Sequence, residues 1–260
     1  MRNRTILTET ENRVLRITID RPEKRNALSV ATAQEIIEAL ASVRGIPEYR
    51  AVVLTGSGER VFASGADLDE LPDAMKCADN ARAFDKEFDA LYAAIAECPL
   101  PVIARVNGHA IGGGCLLALA CDFAVTTSVS KFGFPVSRIG LMLSEREHML
   151  IGRTLSTAYA KYLIFTGTRI SATEALHRGI VQEVVEPEAL DSRLREIIAS
   201  IVAGAPIANS TAKSILDSMQ LESPAEEIVS NGYNSVYSSA DLVEGLSAVR
   251  EKRTPVFNGL

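Results

Sequence analysis

Two corners of the sequence combine glycine with the start of an apolar helix, and both could hold negative charge. In Asn107–Asp122 (NGHAIGGGCLLALACD), Gly112, Gly113 and Gly114 follow a β-rich run and open an apolar stretch. Glycine lets a ligand approach the backbone closely, and the amides of Gly113 and Gly114 would lie at the positive end of the helix dipole. In Gly56–Leu71 (GSGERVFASGADLDEL), Gly65, Ala66 and Asp67 precede a second predicted helix. The first amides of such a helix lack intrahelical partners and can bind an anion. Two corners of this kind suggest an oxyanion hole, which stabilises charge developing on a carbonyl oxygen; for a thioester that charge is an enolate or a tetrahedral oxyanion. Each corner by itself also fits an ordinary strand-to-helix turn. A third segment, Asp20–Leu28 (DRPEKRNAL), gathers Arg21, Lys24 and Arg25 at a turn, a pattern that fits either bound phosphates or a solvated surface. GSG is too short for a dinucleotide fingerprint, and no GxGxxG follows it.

Alternating strands and helices must position these segments. Leu15–Asp20 alternates apolar and polar residues with period two, as in a half-buried strand. Ala51–Thr55, Val102–Val106, Phe123–Thr127 and Val181–Val185 are short β-rich runs. Ser29 is a predicted N-cap for a helix whose apolar stripe is Ala33, Ile36, Ile37, Leu40 and Val43. A second stripe, Phe84, Phe88, Leu91, Tyr92 and Ile95, stops at Cys98-Pro99. Ser171 and Glu174 have capping-box spacing with Gly179 as the stop, and Ser223, Pro224 and Glu226 suggest another helix start. Leu194, Ile197, Ile198, Ile201 and Val202 form a further helical stripe. Strands and helices alternate to about residue 190 and helices dominate afterwards, which predicts an α/β core with a helical C-terminal part.

Composition narrows the function. The 260 residues carry a net charge of −6, which argues against a nucleic-acid partner but leaves room for a local basic pocket. No apolar run reaches the ~20 residues needed to cross a bilayer, and the polar N-terminus shows no secretory signal. Cys77, Cys98, Cys115 and Cys121 lack CxxC spacing and read as buried free thiols of a cytoplasmic protein. With only three scattered histidines, no metal site is expected.

The segments RPEKRNALS, FASGADL and NGHAIGGGC, in this order and at these spacings, resemble the enoyl-CoA hydratase/isomerase (crotonase) family. The resemblance continues through Phe132–Gly140, TGTRISATEALHRGIVQEVV and EKRTPVF, and so spans essentially the whole chain. It implies a crotonase-like spiral of repeated ββα units (1–195) that holds an acyl-CoA site. A helical C-terminal trimerisation region (196–260) would follow, and trimers would pair into hexamers. It implies an acyl-CoA thioester substrate, with coenzyme A arriving as part of that substrate and no separate cofactor. The residues lining the coenzyme pocket would be Lys24, Arg25, Ala27, Ser64, Ala66, Asp67 and Leu68, and the oxyanion donors the amides of Ala66 and Gly113.

The sequence departs from the family pattern where the hydratases carry two glutamates. Those positions are Leu116 and Val136, neither of which can titrate. Two carboxylates normally share water activation and α-carbon protonation. The loop Leu141–His148 (LMLSEREH) holds the replacement candidates: Glu145 first, with Glu147 or His148 behind it. The same cluster also reads as a plain helix start, with Ser144 as N-cap and the two glutamates favoured by the helix dipole. The expectation is an enoyl-CoA hydratase by family. The alternatives are an isomerase, an acyl-CoA hydrolase or C–C cleaving member using Glu145, or a catalytically weak acyl-CoA-binding protein.

Overall fold

A computed structural model of the chain describes residues 4–71, 76–219 and 226–260. The order of elements is β1 (Ile6–Glu11), β2 (Val14–Ile19), α1 (Val30–Ala41), β3 (Ala51–Gly56), β4 (Val61–Ala63), α2 (Ala78–Ala96), β5 (Val102–Val106), β6 (His109–Ile111), α3 (Gly113–Ala120), β7 (Phe123–Thr127), β8 (Lys131–Gly133), α4 (Glu145–Thr154), α5 (Thr157–Thr166), β9 (Ile170–Ser171), α6 (Ala172–His177), β10 (Glu183–Val185), α7 (Leu190–Val202), α8 (Pro206–Ser218), α9 (Glu226–Tyr237) and α10 (Ala240–Glu251).

The strands form two sheets. The larger has six strands in the order β1-β2-β3-β5-β7-β10, antiparallel only between β1 and β2. The smaller has four in the order β4-β6-β8-β9. Each of the pairs β3/β4, β5/β6 and β7/β8 sends its first strand to the large sheet and its second to the small one. The chain then rises by one strand in both sheets, which is the crotonase-like spiral of ββα units. Parallel strands covered on both faces are apolar throughout rather than alternating. Accordingly, Ala51, Val52, Val53 and Leu54 of β3 are all buried.

Ser29 caps α1 as predicted, its hydroxyl accepting the Thr32 amide at 3.1 Å, and Ala33, Ile36 and Leu40 face the core. The Ser171–Glu174 spacing forms only half of a capping box. Ser171 accepts the Glu174 amide, but the Glu174 carboxylate turns to the Tyr159 hydroxyl at 2.9 Å and to Arg178 at 2.7 Å. The helix start expected at Ser223-Pro224 lies outside the described residues. β1, β4, β6, β8 and β9 were not expected from the sequence. All but β1 have two or three residues, too few to show a period.

The division expected between residues 195 and 196 falls inside α7. Leu194 on one side and Ile198, Ile201 and Val202 on the other pack together on Val14, Ala51, Val53 and Ile103, forming a second small core on the outer face of the large sheet. Helix periodicity thus continues across the expected boundary. Cys98, Cys115 and Cys121 are buried free thiols, but Cys77 is exposed, because it precedes α2 and sits outside its apolar stripe. Among the described residues, no helix is long and apolar enough to cross a membrane, and no cluster of metal-binding side chains is present.

Candidate active site

The GGG corner depends on glycine for steric reasons. Gly112 has φ 55° and ψ −123°, a conformation open to glycine. A side chain on Gly114 would place its first carbon 2.0 Å from the Ala63 carbonyl oxygen. These constraints press the start of α3 against the Ala63–Ala66 segment. A methyl group at Gly113 would sit 3.5 Å from the Ala66 nitrogen, and one at Gly65 would sit 3.4 Å from the Gly113 nitrogen. Ala66 is itself held by a parallel bridge to Leu28, with Leu28 donating to the Gly65 carbonyl and Asp67 to the Leu28 carbonyl, both at 2.8 Å. Among the described residues, neither the Ala66 nor the Gly113 amide donates to a protein acceptor. Two free donors from different corners therefore lie side by side, and Gly113 adds the positive end of the α3 dipole.

Both corners line one cavity of about 610 Å³. Lys24, Arg25, Ala27, Ser64, Ala66, Asp67 and Leu68 lie on its wall together with Gly113. The Asp20–Leu28 turn is pinned in place by Asn26, a buried residue that the sequence did not single out. Its amide group donates to the carbonyls of Ser57 at 3.0 Å and Val61 at 2.8 Å, and Arg25 and Asn26 both take left-handed backbone with φ near +54° and +53°. Asn tolerates that region because its short polar side chain bonds locally.

Arg21 is not available to a phosphate. It is committed to Asp67 at 2.6 Å and to the Ala27 carbonyl at 2.7 Å. Burial works against the charge on Asp67, but the bond from Arg21, the Asp69 amide and nearby Lys24 hold its carboxyl below the usual range. Lys24 is bonded to Asp69, whose carboxylate raises the lysine's proton affinity.

The interior of the cavity is apolar at the two positions where the resemblance would place glutamates: Leu116 and Val136 both line it. Glu145 does not. It is the first residue of α4 and its side chain is exposed, because the helix start turns that position outward. Two residues later, at about 200° around the helix, Glu147 faces the cavity beside Phe88, Tyr92 and Asp85 of α2. His148 is exposed, with Nδ1 2.9 Å from the Ser144 carbonyl oxygen. His109 and Arg138 line the cavity as well. Burial, followed by Arg169 and Lys131, lowers the proton affinity of His109.

Glu147 is the cavity carboxylate with the most altered chemistry. Burial pushes its pKa up to about 7, and the carboxylates of Asp85 and Asp89 add to the rise. The Ser144 amide and the Tyr92 hydroxyl, which donate to its two oxygens at 2.9 Å and 3.4 Å, only partly offset this. A carboxyl titrating near neutral pH can both take and return a proton. Burial and Asp89 likewise raise Asp85.

A larger groove of about 860 Å³ lies between the end of α3, α7 and α8. It contains neither free amide, and two of its cations are held by carboxylates: Lys213 pairs with Asp122, and Arg193 with Glu196.

Comparison with known proteins gives a consistent picture. The profile of the family described as enoyl-CoA hydratase/isomerase matches residues 9–259. A carnitinyl-CoA dehydratase of Citrobacter koseri is 37% identical over 257 residues, 95% of each chain. A short-chain-enoyl-CoA hydratase of Clostridium acetobutylicum is 34% identical over 250 residues, again 95% of each. The solved structure of an enoyl-CoA hydratase/carnitine racemase from Magnetospirillum magneticum superposes with a TM-score of 0.94 at 31% identity, covering 98% of this chain and 96% of that one. A match of this extent, on a spiral of ββα units with two amides facing one cavity, makes the chain a member of the enoyl-CoA hydratase/isomerase family of acyl-CoA enzymes.

Proposed function

We propose that the protein transfers a proton at the α-carbon of an enoyl-CoA thioester and thereby moves the double bond. In this reading the amides of Ala66 and Gly113 hold the thioester oxygen, and Lys24 and Arg25 meet the phosphates of coenzyme A. The Glu147 carboxylate removes the α-proton, and the electron pair delocalises onto the oxygen held by the two amides. The same carboxyl then returns the proton to the γ-carbon. The observation that carries the reading is Glu147 itself, a near-neutral carboxyl on the cavity wall where Leu116 and Val136 cannot titrate. One carboxyl suffices for a proton shuttle.

Hydration is the second reading. It is favoured by the names of the hydratase and dehydratase relatives and by Asp85, a further carboxyl on the same wall. Assembly as a homotrimer or hexamer belongs to either reading, supported by the exposed Tyr233, Tyr237, Leu246 and Val249 on the last two helices.

The test is incubation of enoyl-CoA substrates in heavy water, with product mass and deuterium position read out. Isomerisation gives a product of the substrate's mass plus at most one deuterium, at the γ-carbon to the extent that the Glu147 proton exchanges with solvent, whereas hydration adds the mass of a molecule of heavy water. Glu147→Gln is expected to lower turnover by about 10²–10⁴-fold while thioester binding persists, and Glu145→Gln to leave turnover near wild type. Full activity in Glu147→Gln would remove this mechanism. Binding without turnover of any substrate in the wild type would reduce the protein to an acyl-CoA binder.

A further inference from the structure

The carboxyl of Glu147 is held from two sides by residues that the proposed chemistry leaves without a task. On α2, the Tyr92 phenol is 2% exposed and donates to Oε1 of Glu147 at 3.4 Å. One turn away on the same helix, Asp89 accepts the Ser144 hydroxyl proton at 2.7 Å. Ser144 in turn closes a reciprocal box with Glu147. Its amide donates to Oε2 at 2.9 Å and its hydroxyl oxygen accepts the Glu147 amide at 3.2 Å. A capping box needs only the serine and the glutamate. The tyrosine and the aspartate are additions to it, both from α2: Tyr92 reaches the carboxyl itself, and Asp89 reaches the serine that holds it.

We propose that Tyr92 and Asp89, the latter through Ser144, are positioning residues for Glu147: together they fix its carboxyl in one orientation and set, in opposite directions, the pH at which it exchanges a proton. The proposal rests on Glu147 being the proton carrier. Tyr92 donates a hydrogen bond to the charged form and so favours it, whereas Asp89 is a like charge that disfavours it. The other groups acting on Glu147 are few. On α2 only Asp85 adds to Tyr92 and Asp89, again as a like charge. Helix α3, which packs against α4, brings the apolar Leu116 to the same cavity.

Two substitutions therefore predict shifts of opposite sign. Tyr92→Phe removes the donor, so the acidic limb of the kcat/KM profile should move to higher pH. Asp89→Asn keeps an acceptor for the Ser144 hydroxyl and removes the charge, so the limb should move to lower pH. Each shift should be about half a unit to one unit, with kcat reduced by roughly tenfold in Tyr92→Phe through lost orientation.

The same titration can be read without turnover, by NMR of isotope-labelled glutamate carboxyl carbons, with the Glu147 signal identified by its loss in Glu147→Gln. Opposite shifts in both measurements are the expected result. Limbs and titrations that stay at the wild-type pH, or move together in one direction, would overturn the positioning role while leaving Glu147 as proton carrier. An active Glu147→Gln enzyme would instead overturn the proton-carrier reading, and the positioning role with it.

Discussion

Glu147 has two tasks for one carboxylate: it closes the start of α4 and it faces the cavity. The first task tolerates glutamine, whereas the proposed proton transfer does not. The conflict has a consequence for stability. Burial, with Asp85 and Asp89, lifts the native pKa from 4.5 to about 7. The native state thus binds this proton more tightly than the unfolded chain does. Its contribution to stability is fully present below the unfolded value and is lost as pH rises through about 7. A glutamine side chain would keep the cap without ionising. Glu147→Gln is therefore expected to match wild type at about pH 4 and to exceed it by about 1–3 kcal/mol at about pH 8, measured by urea unfolding. A pH-independent difference would show that ionisation of Glu147 is not what strains the wall.

At the scale of elements, the free amides exist because α3 starts under steric compression. The large sheet fixes where β5 ends, and β6 then turns the chain toward the Ala63–Ala66 segment. Only glycine at position 114 lets the helix begin at this distance. Gly114→Ala should cost roughly 1–3 kcal/mol, as overpacking does. It should also lower kcat more than it weakens binding of the coenzyme moiety, because the Gly113 amide shifts relative to that of Ala66. Calorimetric binding of coenzyme A alongside turnover separates the two effects. An alanine variant with wild-type kcat would mean that the register of the two amides is not critical.

Across the whole molecule, the C-terminal helices are joined to the spiral by a buried charge as well as by apolar contact. Lys213 of α8, with a side chain 8% exposed, donates to Asp122 at 3.0 Å and to the carbonyls of Ile95 and Leu100 at 3.0 and 3.2 Å. Asp122 is otherwise bonded to the Val102 amide at 2.6 Å, so the pair ties α8 to the ends of α2, α3 and β5 at once. Replacing Lys213 with Met leaves a buried carboxylate without its cation, and should destabilise the protein by about 3–5 kcal/mol in urea unfolding. Adding Asp122→Asn should recover part of that loss. No recovery in the double variant would assign the effect to packing of the lysine stem.

Much of the frame can be read from the chain. Four of the five expected strands lie within one residue of their predicted starts, since apolar β-rich runs bounded by Gly or Pro are local signals. The two glycine corners are legible too, because consecutive glycines are rarely placed without a backbone reason. The sequence also shows that Leu116 and Val136 cannot titrate.

Proximity was not legible. Ala66 and Gly113 become a pair only when two sheets stack their turns. Asn26 acquires its role only from carbonyls more than thirty residues away, and Arg21 is taken from the basic turn by Asp67 across the fold. That Glu147 rather than Glu145 faces the cavity follows from the phase of α4 against α2, a two-residue step that turns one carboxylate to water and the other to the cavity. Residue types and local periods are properties of the sequence. Which side of a helix meets a cavity is fixed by what packs against it, and that is decided only in the tertiary structure.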